Sequence, residues 1–405
     1  MSKKKGRFNK MKDQPKGLPA PTPPVLKQKE GLVKMNFEPI LKNLRLKPNK
    51  GLISQIRSGR KNNQFISLVL MDGVQLMPEM ILPLFEVLQK IGKTENLDVF
   101  LYTTGGATEV PWRIVSLVRE YCNEFTAIIP FIALSAGTHI ALGANQLLMS
   151  EISTLGPVDP TTKHPLLPRD KNDRPIPVSV EDLKNCIKFI AQQLKDQGED
   201  LKYTPTDMTN IVSKLFEHIE PLAIGAVERA YGLSRLITRK VLETHLDPSK
   251  DKEKIEAIVN KIGGEYFSHS FPITRRDAEQ ELKLKVEKPD ADLFSKIWAL
   301  YEYYRGAFSV QHDLQINIEQ KDPKGVIIER KGIPLITRIL GFLDSETERR
   351  VLLQLQSIKK EGAEIKPGPI FTGWVKPSAE ELPVDNPNYF LVVLEKPVPQ
   401  QPPLP

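Results

Sequence analysis

FTAIIPFIALSAGTHIALGANQLLMS, residues 125–150, carries no charged side chain. By length alone it would cross a bilayer. Pro130, Ser135, Thr138, His139, Asn145 and Gln146 interrupt its apolarity, however, and the better reading is a buried strand over 125–133, a short apolar helix over 135–143 and another buried strand over 147–150. The same rhythm runs upstream. Residues 65–71 form an apolar run rich in β-formers, closed by Asp72-Gly73, and Pro78 opens a helical stretch to about residue 91 with a bend expected at Pro83. DVFLYT, residues 98–103, is a strand stopped by Gly105-Gly106. From about 110 to 122, Ile114, Val115, Leu117, Val118 and Tyr121 keep helical spacing. Apolar strands alternating with helices predict an α/β fold whose parallel sheet is covered on both faces.

Downstream, a polar, Pro-rich connection (157–177) precedes helices expected over 180–194, over 208–245 with a bend at Pro221, and over 291–304. From residue 311 the pattern predicts a small α+β appendage to residue 396. Its strands fall at 326–329 and 389–394 and flank a helix whose start, Ser345 with Glu348 three positions on, has capping-box form. Pro397, Pro399, Pro402, Pro403 and Pro405 make the last nine residues a tail.

The 405 residues are 40% apolar and 26% charged, an ordinary globular composition, and the net charge is +7. Residues 1–30 carry nine basic side chains against Asp13 and Glu30, which accounts for that entire excess. With Pro15, Pro19, Pro21, Pro23 and Pro24 among them, they read as a disordered solubilising leader rather than a specific nucleic-acid module. The folded domain is then residues 31–310. The leader lacks the apolar run of a secretory signal, and only Cys122 and Cys186 occur, so neither a disulfide framework nor a thiolate metal cage is expected and the cytoplasm is the expected compartment. Gly92-Lys93-Thr94 looks like the end of a phosphate loop, but Val87 stands where its first glycine belongs. With no H-E-x-x-H, paired C-x-x-C or G-x-G-x-x-G, neither metal nor nucleotide cofactor is expected. Trp298, Tyr301, Tyr303 and Tyr304 read as core or subunit interface.

Two glycine-bearing turns follow predicted strands on the same side of the sheet, where parallel sheets place their crevices: Thr103-Thr104-Gly105-Gly106 and Ala133-Leu134-Ser135-Ala136-Gly137. A serine on a tight turn opening a helix has free backbone N–H groups beside it, the setting of an acyl-transfer nucleophile. A glycine pair lets a second stretch of backbone come close and aim an N–H at the same point, which makes Gly106 and Ala136 the candidate oxyanion donors for Ser135. The bland alternative is that Ser135 merely caps a core helix.

LYTTGG (101–106) resembles the strand-and-glycine turn of the Clp peptidase and crotonase superfamily. SAGTHIALGANQLLMSEISTLGPVDP (135–160) is similar to the serine dehydrogenase proteinase family, related to signal peptide peptidase A. The likeness continues through HIEPLAIGAVERA (218–230) and SHSFPITRRDA (268–278) to about residue 304. It implies a Clp peptidase/crotonase-like superhelix of ββα units, an ATP-independent serine peptidase acting on peptide or protein through an acyl-enzyme on Ser135, and self-association into oligomers.

The resemblance leaves the base open. Where Clp peptidases carry their histidine this chain has Gly156 and Pro157. The related signal peptide peptidases use a lysine, for which Lys163, Lys171, Lys184 and Lys188 are placed after Pro160, Lys184 ranking first. His269, in the region where Clp peptidases carry the acidic triad member, is the rival base or else a structural histidine. His139, one turn after Ser135, reads as a packed helix histidine, and Asp159 as an orienting group or a turn cap. Acyl-thioester chemistry on the same fold, which commonly wants a glutamate pair that the sequence does not supply, and a non-catalytic scaffold are the competing readings.

Overall fold

A computed structural model describes residues 50–158, 161–162, 171, 178–179, 210, 213–214, 221–266, 268–309, 311–321, 327–361 and 364–376 of the chain. Its helices are α1 (Lys50–Gly59), α2 (Ile81–Ile91), α3 (Val110–Arg119), α4 (Ala136–Leu142), α5 (Pro221–Leu242), α6 (Lys252–Asn260), α7 (Arg275–Gln280) and α8 (Ala291–Phe308). The strands are β1 (Gln64–Leu70), β2 (Thr94–Tyr102), β3 (Cys122–Ile129), β4 (Ile132–Ala133), β5 (Gln146–Met149), β6 (Thr154–Leu155), β7 (Thr161–Thr162), β8 (Val178–Ser179), β9 (Ile273–Thr274), β10 (Val286–Glu287), β11 (Gln311–Lys321), β12 (Ile327–Asp344), β13 (Arg349–Glu361) and β14 (Glu364–Val375).

The central sheet runs β10-β5-β3-β2-β1-β12-β13-β14, with β11 also on β12. From β10 to β1 every pairing is parallel. Both faces are buried, and the side chains divide by parity as the pleat requires. Ile66, Leu68 and Leu70, then Leu97, Val99 and Leu101, then Phe125, Ala127 and Ile129 enter one core beneath α2 to α6. Phe65, Val69, Phe100, Tyr102 and Ile128 enter the other, beneath α1 and α8. At about 1.5–3 kcal/mol per large side chain, this double burial is what makes the sheet form.

A second, shallow layer follows the carboxyl ends of these strands. Leu76 bridges Gly106, Thr103 bridges Ala133, and β4 pairs with β6, all in parallel, with β9 antiparallel on β6. Long strand, short edge strand and helix thus repeat as a superhelix of ββα units, the architecture expected from the sequence. The strand expected over 125–133 is two strands, because Pro130 has no N–H for the ladder and the chain turns there from the main sheet into the second layer. Nor does Pro83 bend α2. A 3-10 turn (Pro78–Met80) precedes the helix, and Pro83 lies in its first turn, where a missing N–H breaks no bond.

The region after residue 311 differs from its expectation. Its described residues form four antiparallel strands, and β12 extends the central sheet by pairing Ser67–Leu70 of β1 with Asp344–Gly341. The helix expected at Ser345 is a hairpin turn: Glu348 N donates to Ser345 Oγ at 2.9 Å and Ser345 N to Glu348 O at 2.7 Å. The residues that follow explain the outcome. Val351, Leu353 and Leu355 are buried at period two, so the capping chemistry serves a turn between strands. The expected elements at 180–194 and 389–394 lie outside the described residues, and Pro221 is the first residue of α5.

Buried ion pairs tie the layers. Asp98 on β2 is wholly buried and takes a bidentate pair from Arg60, Nε to Oδ2 and Nη2 to Oδ1 at 3.1 Å each, while Arg60 also reaches Thr126 and Glu287 at 3.1 Å. Removing Asp98 takes away the buried counter-charge of Arg60 and leaves it only the half-exposed Glu287. Asp98→Leu is expected to lower the unfolding free energy in urea titrations by about 3–5 kcal/mol, whereas combining it with Arg60→Met brings stability back toward wild type.

Candidate active site

The turn after β2 and the turn after β4 meet. Gly105 has φ +109°, and a Cβ built there would lie 3.0 Å from Ser135 Cβ, 3.0 Å from Leu134 O and 3.3 Å from Ala136 N. No side chain fits between the two stretches. At Gly106 a Cβ would fall 2.2 Å from Leu76 N, and at Gly137 it would fall 2.6 Å from Thr103 Cγ2. Each of these glycines is required by the approach of another segment.

The N–H groups here are largely committed. Leu76 N donates to Gly105 O at 2.8 Å, Ala107 N to Leu76 O at 2.9 Å, Gly137 N to Leu134 O at 2.8 Å and Leu134 N to Thr103 O at 3.0 Å. Gly105 N donates to Thr103 Oγ1 at 3.0 Å. A trans peptide points its C=O and N–H in opposite directions, so the bond from Leu76 to Gly105 O turns the Gly106 N–H away from Leu76. Among the described residues neither Gly106 N nor Ala136 N finds an acceptor.

Ser135 stands at φ 52°, ψ −114°, a backbone state costing a non-glycine residue about 1–3 kcal/mol. It occupies the position before the first residue of α4, yet its hydroxyl makes no capping bond. The helix-cap reading therefore fails. The residue is half-buried, between a strand and a helix, on the strained turn typical of a nucleophile elbow.

The histidines part company. His139 points away from Ser135 into α5: its Nε2 lies 3.3 Å from Ser234 O and 3.1 Å from Thr238 Oγ1, and it is 2% exposed. Among the described residues its buried Nδ1 has no partner. It is the packed helix histidine that its spacing suggests. His269 lies exposed on the turn closed by Phe271 N to Ser268 O at 3.0 Å. Lys184, Lys163, Lys188 and Asp159 lie outside the described residues, and Lys171 is exposed. Gly156 and Pro157, at the place of the Clp histidine, are clamped. Thr138 Oγ1 donates to Gly156 O at 2.8 Å and accepts from Gly156 N at 3.0 Å, and Ser234 Oγ donates to Val158 O at 2.6 Å.

Two residues that hold the site were not singled out in the sequence. Thr103 and Thr138 are both wholly buried and both turn their hydroxyls onto backbone groups of the two turns. For Thr103 a signal exists, because a threonine two residues before a glycine is a turn motif in which the hydroxyl accepts that glycine's N–H. Among the described residues no group of three His, Cys, Asp or Glu side chains gathers as a metal site, and no helix is long and apolar enough to cross a membrane.

Burial pushes the His139 imidazole down to about 4 from its usual 6.5. The folded chain therefore prefers it neutral, and its contribution to stability is complete above pH 6.5 and lost as the pH falls toward 4, since the unfolded chain takes up the proton first. Between pH 7 and pH 5 this amounts to about 2 kcal/mol, and His139→Gln is expected to flatten that part of the stability–pH curve measured by urea titration.

Residues 79–168, which hold both turns, match the family of ClpP-like SDH-type serine proteinases. Two uncharacterized proteins of Methanocaldococcus jannaschii are similar. One is 24% identical over 213 residues, 53% of this chain and 60% of its own length; the other is 26% identical over 175 residues, 39% and 60%. The chain thus spans 60% of the length of each of these relatives. Among solved structures, a membrane-bound stomatin-specific protease aligns at 13% identity and TM-score 0.31 over 62% of this chain and 86% of its own. ClpP1 of Listeria monocytogenes aligns at 11% and 0.29 over 60% and 98%, and the ClpP catalytic domain of Plasmodium falciparum at 10% and 0.30 over 60% and 93%. The fold assignment rests on the strand order and bridges given above. The resemblance drawn from the sequence holds over one segment: from residue 79 to residue 168 this chain matches the ClpP-like SDH-type serine proteinases.

Proposed function

We propose that this protein is a serine peptidase in which Ser135 Oγ attacks the carbonyl carbon of a peptide bond. The Gly106 and Ala136 N–H groups hold the oxyanion; the tetrahedral species collapses with cleavage of the C–N bond, the amine leaves with the proton taken from the serine, and water then hydrolyses the acyl-enzyme to the free acid and Ser135. The observation that carries the reading is a strained, uncapped serine at φ 52° packed against the Gly105 turn, where among the described residues the N–H groups of Gly106 and Ala136 have no acceptor. The match to a serine proteinase family over the same segment supports it. Strain of this kind persists only where the surroundings impose it, and a serine that did nothing but start a helix would relax to the extended conformation and cap it.

The proton of the serine passes to a lysine or histidine. Lys184 is our leading candidate, with Lys163 and His269 the rivals; His139, buried, neutral and turned into α5, is set aside. Peptide or protein is the proposed substrate, the cytoplasm the proposed compartment, and self-association is proposed by analogy with the superfamily. The reaction draws on no cofactor.

Ser135→Ala is expected to lower peptide hydrolysis by roughly a thousand-fold or more and to abolish labelling by a fluorophosphonate, with the melting temperature of the variant equal to or above that of wild type because the strained turn keeps its geometry. Unchanged cleavage and labelling in that variant would overturn the assignment. Among Lys184→Met, Lys163→Met and His269→Gln, the one that removes labelling while retaining the fold marks the base.

A further inference from the structure

We infer that Thr103 is a positioning residue of this site: its hydroxyl fixes the glycine turn so that the Gly106 N–H, and not the Gly105 N–H, is presented to the oxyanion. The inference rests on the peptidase reading above.

Thr103 belongs to both halves of the site. Its backbone bridges β4, with Thr103 N donating to Ile132 O at 3.3 Å and Leu134 N to Thr103 O at 3.0 Å, so it is fixed to the strand that delivers Ser135. Its methyl occupies the space over Gly137 in the first turn of α4. Its hydroxyl, wholly shielded from water, accepts the Gly105 N–H at 3.0 Å. One buried side chain therefore ties the residue after the nucleophile elbow to the turn that faces it.

The consequence follows from peptide geometry. Two planar peptides make the turn. The one between Gly105 and Gly106 is held through its carbonyl by Leu76 N. The one between Thr104 and Gly105 is held, among the described residues, through its N–H by the Thr103 hydroxyl. Gly105 joins them, and a glycine passes between positive and negative φ at little cost, so it offers no resistance of its own. Without the hydroxyl the Gly105 N–H is a buried donor that has lost its acceptor, a state the chain avoids. The chain would relieve it by rotating the 104–105 peptide about Gly105, and the turn that carries the Gly106 N–H would then be held from the Leu76 side alone. An oxyanion donor acts only within a few tenths of an ångström of the right place, so the loss would fall on the transition state and leave substrate binding nearly intact.

The test uses the full chain with p-nitrophenyl butyrate as acyl donor and phenylboronic acid as a probe that forms a tetrahedral adduct on serine. Thr103→Val keeps the shape and deletes the acceptor. It is expected to lower kcat about ten-fold or more with KM within two-fold, and to weaken phenylboronic acid by a similar factor. Thr103→Ser keeps the acceptor and deletes the methyl, and is expected to retain at least a third of the wild-type kcat. Should Thr103→Val fail to fold, Thr103→Cys, close in size and a weak acceptor, takes its place. A kcat for the valine variant within two-fold of wild type overturns the inference. So does a serine variant that falls as far as the valine variant, since the methyl and its packing would then be what matters. Fluorophosphonate labelling keeps the two readings apart: wild type left unlabelled at Ser135 overturns the peptidase reading and this inference with it, whereas labelled wild type with an unaffected Thr103→Val overturns this inference alone.

Discussion

The approach of Gly105 to Ser135, with no room for a methyl group between them, is the constraint from which the rest of the structure takes its meaning. Backbone can come so near to backbone only where side chains are missing from one partner, and the chain leaves them out at Gly105, Gly106 and Gly137, one for each segment that crowds in. Glycines at these positions raise the entropy lost on folding, and the opposing gain comes from what lies to either side: an apolar sheet sealed on both faces, with the two turns emerging from its carboxyl end. The strained φ of Ser135 is stored in that frame. Bonds from Leu134 to Thr103 and from Gly137 to Leu134 hold the elbow on both sides of the serine, so the residue cannot relax without undoing the second layer.

The two ends of the sheet are built for different ends. Toward the amino ends of β2 and β3 the polar atoms are consumed in pairs, Arg60 with Asp98 and Thr126, leaving few groups free to react. On the α8 face, Tyr304 donates to Asp344 and accepts from the Ser67 hydroxyl, and Asp344 in turn takes both arms of Arg349, which anchors β12 to β1. At the carboxyl ends, by contrast, the N–H groups of Gly106 and Ala136 have no acceptor among the described residues. Parallel sheets place ligand crevices there because each strand hands on to a short loop at that edge, and the superhelix stacks those loops in register. The remote networks fix the strands, and fixed strands are what make a pair of unspent donors stay where they are.

Much of this was legible. The charge-free run over 125–150, the glycine pairs and the spacing of Ile114, Val115 and Val118 point to buried strands, tight turns and a helix against the sheet, because each of those signals is local and has one cheap structural solution. What was misread depended on partners far away in sequence. Ser345 and Glu348 carry capping chemistry that suits a helix or a turn, and the choice went to the period-two burial of Val351, Leu353 and Leu355 once β1 offered an edge for β12. Pro130 splits a strand for a reason visible in the residue itself, whereas the destination of the second piece, the bridge from Ala133 to Thr103, is a tertiary fact. Thr103 was passed over for the same reason: a threonine before a glycine turn is common, and only the bridge shows that this one stands between the turn and the serine.

The site also has an internal logic on the proposed reading. Everything that would stabilise negative charge is backbone held by buried threonines, whereas the groups nearest in sequence that could take a proton are withdrawn. His139 spends its Nε2 on α5 and stays neutral, and the stretch at Gly156 to Val158 is pinned through its own amide and carbonyl groups by Thr138, Ser234 and Ile262. A main chain so fully engaged cannot swing a side chain toward Ser135, and Gly156 and Pro157 have none to offer that titrates. On the proposed reading the oxyanion half of such a site is encoded within residues 76–158, while the leading candidates for the proton acceptor, Lys184, Lys163 and His269, come from later segments. Because the two halves are held by different segments, a substitution in the first should act on the tetrahedral state at every pH, and one in the second should act through the ionisation of the base.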